Sequence, residues 1–201
     1  MISLYVLTDP KNEEAHTLWA LEQALKGAPG RVGVVVRHQD PGLALEVASL
    51  AIEHRAPCFV AARPDGSSKG DYVHVGGMRD GDIVPEGAYT ASAHDLKEAS
   101  LARTAEALFV GPIYAVPGKS PPRATGLLTE VRRALPKMKL YALGGVGMDQ
   151  IDACVRAGAD GIAVIRAVMK ADDPAKAADE LVREVDRAKL AVKNRSRIPT
   201  Q

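Results

Sequence analysis

The stretch "MKLYALGGVGMDQIDACVRAGADGIAVI", residues 138–165, decides the fold. Residues 138–145 open it as an apolar run of the kind a strand buried on both faces needs, and 159–165 close it as a second. Between them, 148–157 reads as a helix ended by Gly158. Strand, helix, strand in so short a span is a βαβ unit, which sets two strands parallel through a right-handed crossover.

The same alternation runs outward to both ends. Upstream, strands are expected at 2–8, 31–37, 56–62, 71–76, 88–93 and 107–111. Helices are expected at 13–27, from Asp40-Pro41 onward, from about His94 to Arg103, and over 126–135 before Pro136. Downstream, Asp173-Pro174 opens a last helix with Ala178, Leu181, Val185, Ala188 and Val192 on one side. The links after the third and fourth strands are too short for full helices. Eight strands, most followed by helix, fit either a closed barrel or an open doubly wound sheet, and eight units favour the barrel. The expected fold is α/β, a compact (β/α)8 TIM barrel in one domain over 1–192. A basic tail, 193–201, follows and is expected to be solvated and disordered.

Composition narrows the partners. Net charge is +1, so no electrostatic case exists for nucleic acid or an acidic membrane surface. No apolar run approaches the ~20 residues of a membrane span, and "MISLYVLTD" lacks the pattern of a signal peptide. Cys58 and Cys154 sit in apolar contexts and share no metal-ligand spacing, which reads as buried thiols of a cytoplasmic protein.

In a barrel the chemistry sits at the C-terminal strand ends. Here they offer Asp9, Arg37, Ser92, His94, Gly111 to Tyr114, the pair Gly144-Gly145, and Ile165-Arg166. Glycines after the seventh strand and a short helical turn after the eighth allow backbone amides to approach an anion. Arg37, Lys119 and Arg166 could surround it. For His94, acid-base chemistry and a helix cap stand as equal readings. His74, between Val73 and Val75, reads as a hydrogen-bonded core histidine.

"LYVLTD" (4–9), "DYVHVGG" (71–77), "SAHD" (92–95), "LFVGPIYAVPGK" (108–119), "LGGV" (143–146) and "AGADGIAVIRAV" (157–168) occur in that order. Together they resemble the thiamine phosphate synthase and TenI superfamily. The resemblance implies a (β/α)8 barrel joining hydroxymethylpyrimidine diphosphate to a thiazole phosphate, with magnesium assisting departure of diphosphate. It matches at Arg37, Ser92, Lys119 and the pair Gly144-Gly145, while Arg166 stands where the family has a serine; with the strand-end reading, Arg37, Ser92, His94 and Lys119 are the catalytic candidates, and Tyr114, Gly144, Gly145, Ile165 and Arg166 the substrate and phosphate contacts. Partners would be a phosphorylated small molecule and, for a homo-oligomer, further copies of the chain.

The chain departs from the family pattern at several positions. Val35 and Gln39 replace two members of a Gln-x-Arg-x-Lys signature, of which Arg37 remains. Ala61-Ala62 replaces an Asn-Asp pair, "HVGGMRDGD" (74–82) replaces "HIGQ" and its metal-binding aspartate, and Val116 and Gly118 replace two threonines before Lys119. Alanine offers magnesium no oxygen, so the expected site holds no metal ligands, with Mg2+ as cofactor only if the synthase reaction survives. The TenI branch, a metal-independent tautomerase, carries a histidine where this chain has Pro112, which leaves His94 as the nearest substitute. A non-catalytic barrel binding a phosphorylated ligand is the third reading.

Overall fold

The computed structural model describes residues 1–62, 72–116, 118 and 122–195. Lys119, the start of the expected fourth strand and the end of the tail lie outside them.

Eight parallel strands close into a barrel in chain order. They are β1 Leu4–Leu7, β2 Val32–Val36, β3 Cys58–Ala61, β4 Val73–Val75, β5 Tyr89–Ala93, β6 Ala107–Val110, β7 Leu140–Leu143 and β8 Gly161–Val164. The seam forms where Leu4, Tyr5 and Val6 of β1 pair with Ile162, Ala163 and Val164 of β8. Each strand is shorter than its apolar run, because burial continues beyond the last ladder bond. Ser3, for example, is fully buried although its amide donates to the Arg31 carbonyl outside the ladder.

The helices are α1 Glu14–Gly27, α2 Pro41–Glu53, α3 Leu96–Leu101, α4 Gly126–Ala134, α5 Ile151–Arg156, α6 Arg166–Met169 and α7 Pro174–Arg195, with a 3-10 turn over Met148–Gln150 leading into α5. Among the described residues no helix follows β3 or β4, as the short links require. Asp40 and Asp173 act as expected: each carboxylate accepts an amide three residues on, at 2.8 and 2.9 Å. The last helix continues through Arg195, three residues into the expected tail, where Lys193 and Arg195 suit the negative end of its dipole. No helix among the described residues is long and apolar enough to cross a membrane.

Alternate residues of each strand face inward. The interior is filled by aromatic rings. Tyr5 lies 4.9 Å from Phe109 and 4.8 Å edge-on from Tyr141, and Phe59 stands 6.4 Å from Tyr5. Two glycines make room for this filling: a Cβ on Gly33 would lie 2.4 Å from the Tyr5 ring, and one on Gly161 would lie 2.9 Å from the Tyr141 ring. Outward-facing residues such as Val6, Val34, Leu108 and Ile162 join Leu21, Val131, Ile151 and Val185 of the helices in the larger outer core.

Candidate active site

His74 lies buried on β4. Its ring stacks on Phe109 at 5.1 Å, and its two nitrogens meet Thr90 Oγ1 at 2.9 Å and Ser92 Oγ at 3.2 Å. The core reading of this histidine therefore holds. Burial first, then the nearby Arg37 charge, push its pKa down to about 3, so the ring is neutral. Ser92 is 7% exposed and follows Thr90 on β5.

Arg37 follows β2. Its amide donates to Thr8 Oγ1 at 2.8 Å, and the same hydroxyl meets His38 Nδ1 at 2.9 Å. Thr8, fully buried after β1, thus fixes where the Arg37 side chain leaves the barrel wall. The Arg37 guanidinium in turn lies 3.5 Å from the Thr8 carbonyl.

The glycine pair after β7 has a packing role as well as open amides. Gly144 and Gly145 have φ of +89° and +66°. A Cβ on Gly144 would lie 2.8 Å from Pro112, and one on Gly145 would lie 2.8 Å from the Tyr114 Cβ. The loop after β6 lies that close because the Ile113 and Tyr114 amides donate to the Leu143 and Gly144 carbonyls at 2.9 and 3.0 Å. Arg166 is exposed at the start of α6 and makes no ion pair among the described residues. Ile165, half-buried, joins the end of β8 to it.

Tyr114 is half-buried, with its ring packed against the outer core. Burial pushes the Cys154 thiol up to about 11, so it stays protonated.

His94 is not the helix cap. Asp95 takes that role, with its carboxylate accepting the Glu98 amide at 2.8 Å, and α3 starts one residue later. An aspartate three residues before a glutamate was the capping signal to read. Glu98 turns back: its Oε2 accepts the His94 backbone amide at 2.9 Å and meets the His94 ring Nδ1 at 2.7 Å. The sequence reading missed Glu98, although a His-Glu pair four apart is the usual helical neighbour spacing.

Ala61 and Ala62 end β3 without an oxygen-bearing side chain, and Gly76 and Gly77 follow β4. Asp80, in the loop after β4, is exposed and paired with Lys97. Among the described residues no three His, Cys, Asp or Glu side chains group as a cation site. Magnesium needs several oxygens in near-octahedral array.

The thiamine monophosphate synthase family model matches residues 4–168, from the first strand into α6. The chain belongs to this family. Thiamine-phosphate synthase of Anaeromyxobacter dehalogenans is 35% identical over 174 residues, covering 79% of this chain and 73% of that protein. The enzyme of Thermus thermophilus is 34% identical, covering 89% and 94%. Thiamine phosphate pyrophosphorylase of Pyrococcus furiosus superposes with a TM-score of 0.74 at 27% identity, covering 93% of this chain and 96% of that one. The family match spans all eight strands.

Proposed function

We propose that this member of the thiamine monophosphate synthase family joins a pyrimidine carried as its hydroxymethyl diphosphate to a thiazole phosphate. The observation that carries this reading is the family match over the whole barrel. In this reaction the bond between the pyrimidine methylene and diphosphate breaks, the thiazole nitrogen bonds to that methylene, and diphosphate leaves. A guanidinium offers two parallel donors to phosphate oxygens, so Arg37 would stabilise the charge gathering on the leaving group. The amides after Gly144 and those at the start of α6 would hold the thiazole phosphate, with Arg166 beside them and Lys119 expected to contribute from its loop. Ser92, held by neutral His74, would orient the pyrimidine. None of these roles is assigned to a metal ion.

The test is incubation of the two precursors with the enzyme, with and without Mg2+, followed by quantification of thiamine phosphate and diphosphate. Formation of both in equal amounts supports the reading. No product at high enzyme concentration overturns it, and saturable binding of thiazole phosphate without product would identify a non-catalytic barrel.

The His94-Glu98 pair favours a second reading, a metal-independent isomerase of a phosphorylated thiazole with His94 as acid-base group. Isomerisation in the presence of chelator, lost in His94→Ala, supports it. Activity unchanged in that variant removes it.

A further inference from the structure

The pairing of His94 with Glu98 contains more than the acid-base reading requires. One carboxylate oxygen, Glu98 Oε2, serves both the His94 backbone amide and the His94 ring Nδ1. The amide contact fixes where the carboxylate sits. The ring contact then fixes the imidazole, because a carboxylate can only accept and Nδ1 must therefore carry the proton. Nε2 is left as the free lone pair. It has no hydrogen-bond partner among the described residues, and the side chain is 48% exposed. Glu98 itself is held at the opposite end, since its backbone amide is bound by the Asp95 cap. It is also more enclosed than its partner, at 24%.

A third residue keeps the space open. Gly77 has φ of +146°, and a Cβ there would stand 3.1 Å from Glu98 Oε2 and 3.4 Å from His94 Nδ1. Gly77 occupies the place where the resemblance puts glutamine after "HIG". The same loop carries Asp80, whose ion pair with Lys97 of α3 ties it to the helix that bears Glu98.

We infer that Glu98 is a positioning residue that locks His94 in its Nδ1-protonated tautomer and thereby makes Nε2 the proton-transferring atom, with Gly77 as the gap that admits the pair. The inference rests on the isomerase reading. The substrate class is a heteroaromatic phosphate ester bearing an acidic C–H. Nε2 takes that proton, the C–H electron pair enters the ring system, and Nε2–H returns the proton to another atom of the same ligand. Atoms and electrons balance without a co-reactant, and the imidazole ends as it began.

The experiment reads the tautomer directly. The protein labelled with 15N-histidine is examined by long-range 15N–1H correlation at alkaline pH, where the imidazole is neutral, in wild type, Glu98→Gln, Glu98→Ala and Asp95→Ala. The expected result is Nδ1–H in wild type and in Glu98→Gln, whose amide oxygen still accepts, and a shift to Nε2–H in Glu98→Ala. Asp95→Ala breaks the cap without touching the carboxylate, so it separates loss of the helix start from loss of the tautomer lock. Nε2–H in wild type, or an unchanged tautomer in Glu98→Ala, overturns the inference. A kinetic arm follows proton exchange between thiazole phosphate and D2O in the presence of chelator. There, Glu98→Ala is expected to lower kcat about tenfold to a hundredfold with KM little changed, and Glu98→Gln to recover most of it. If exchange is indifferent to His94→Ala, the isomerase reading fails while the tautomer result stands or falls on its own spectra.

Discussion

Asp160 Oδ2 receives the Arg132 guanidinium at 2.5 Å and the Leu140 amide at 2.9 Å, so one carboxylate oxygen joins α4 to the start of β7. Arg132 also donates to the Gly158 carbonyl at 2.9 and 3.0 Å and to the Met138 carbonyl at 2.7 Å. Removing the guanidinium strands these acceptors in a half-buried place. Arg132→Ala is expected to lose about 2–3 kcal/mol, and Arg132→Lys to recover little, since an ammonium cannot span the set. Urea denaturation of both variants checks this.

The Gly33 site predicts overpacking. A methyl group there would stand 2.4 Å from the Tyr5 ring. Gly33→Ala should cost about 1–3 kcal/mol, and pairing it with Tyr5→Leu should return part of that loss. A double-mutant cycle with no coupling would show that the ring moves freely.

His74 makes stability depend on pH. In the unfolded chain it binds a proton near pH 6.5, but in the fold only near 3. Between those values the unfolded state holds more protons, so stability falls as pH drops through the window, by at most about 1.4 kcal/mol per unit. His74→Gln keeps hydrogen-bonding groups but cannot titrate. Its stability should change less between pH 6 and 4 than that of wild type (~2 units, within the linkage relation), as unfolding curves at each pH will show.

In the proposed reaction Arg37 meets the leaving diphosphate. Arg37→Met should lower kcat/KM for the transfer about a hundredfold or more while leaving thermal stability near wild type. Equal activity would place the leaving diphosphate elsewhere.

Oxygen donors can be returned to the end of β3. The double substitution Ala61→Asn, Ala62→Asp should create magnesium-stimulated turnover where wild type shows less dependence, measured by titrating Mg2+ against rate. An identical response in both proteins would mean that β3 does not face the metal.

The barrel was legible because buried parallel strands are apolar on both faces, and 138–165 displays a whole βαβ unit without interruption. Strand ends were less so: 2–8 shrinks to Leu4–Leu7 because burial and ladder bonding stop at different residues. His74 was readable from parity alone, lying between two outward valines. His94 was not, because one residue of helix phase decides whether it or Asp95 is the cap. The course of the loop that carries Tyr114 is set by its closeness to Gly144 and Gly145, far along the chain. Glu98 escaped notice because its function comes from folding back on the residue that precedes its own helix.

The seam between β1 and β8 also sets an order of events during synthesis. The first strand finds its second neighbour only when the last strand has been made. Until then the growing chain carries two open sheet edges, on β1 and on β7, each a row of unpaired amides and carbonyls available to other chains. A premature stop ahead of Gly161 would leave both edges exposed for good, and such a fragment is expected to sediment with aggregates, not to persist as a partial barrel.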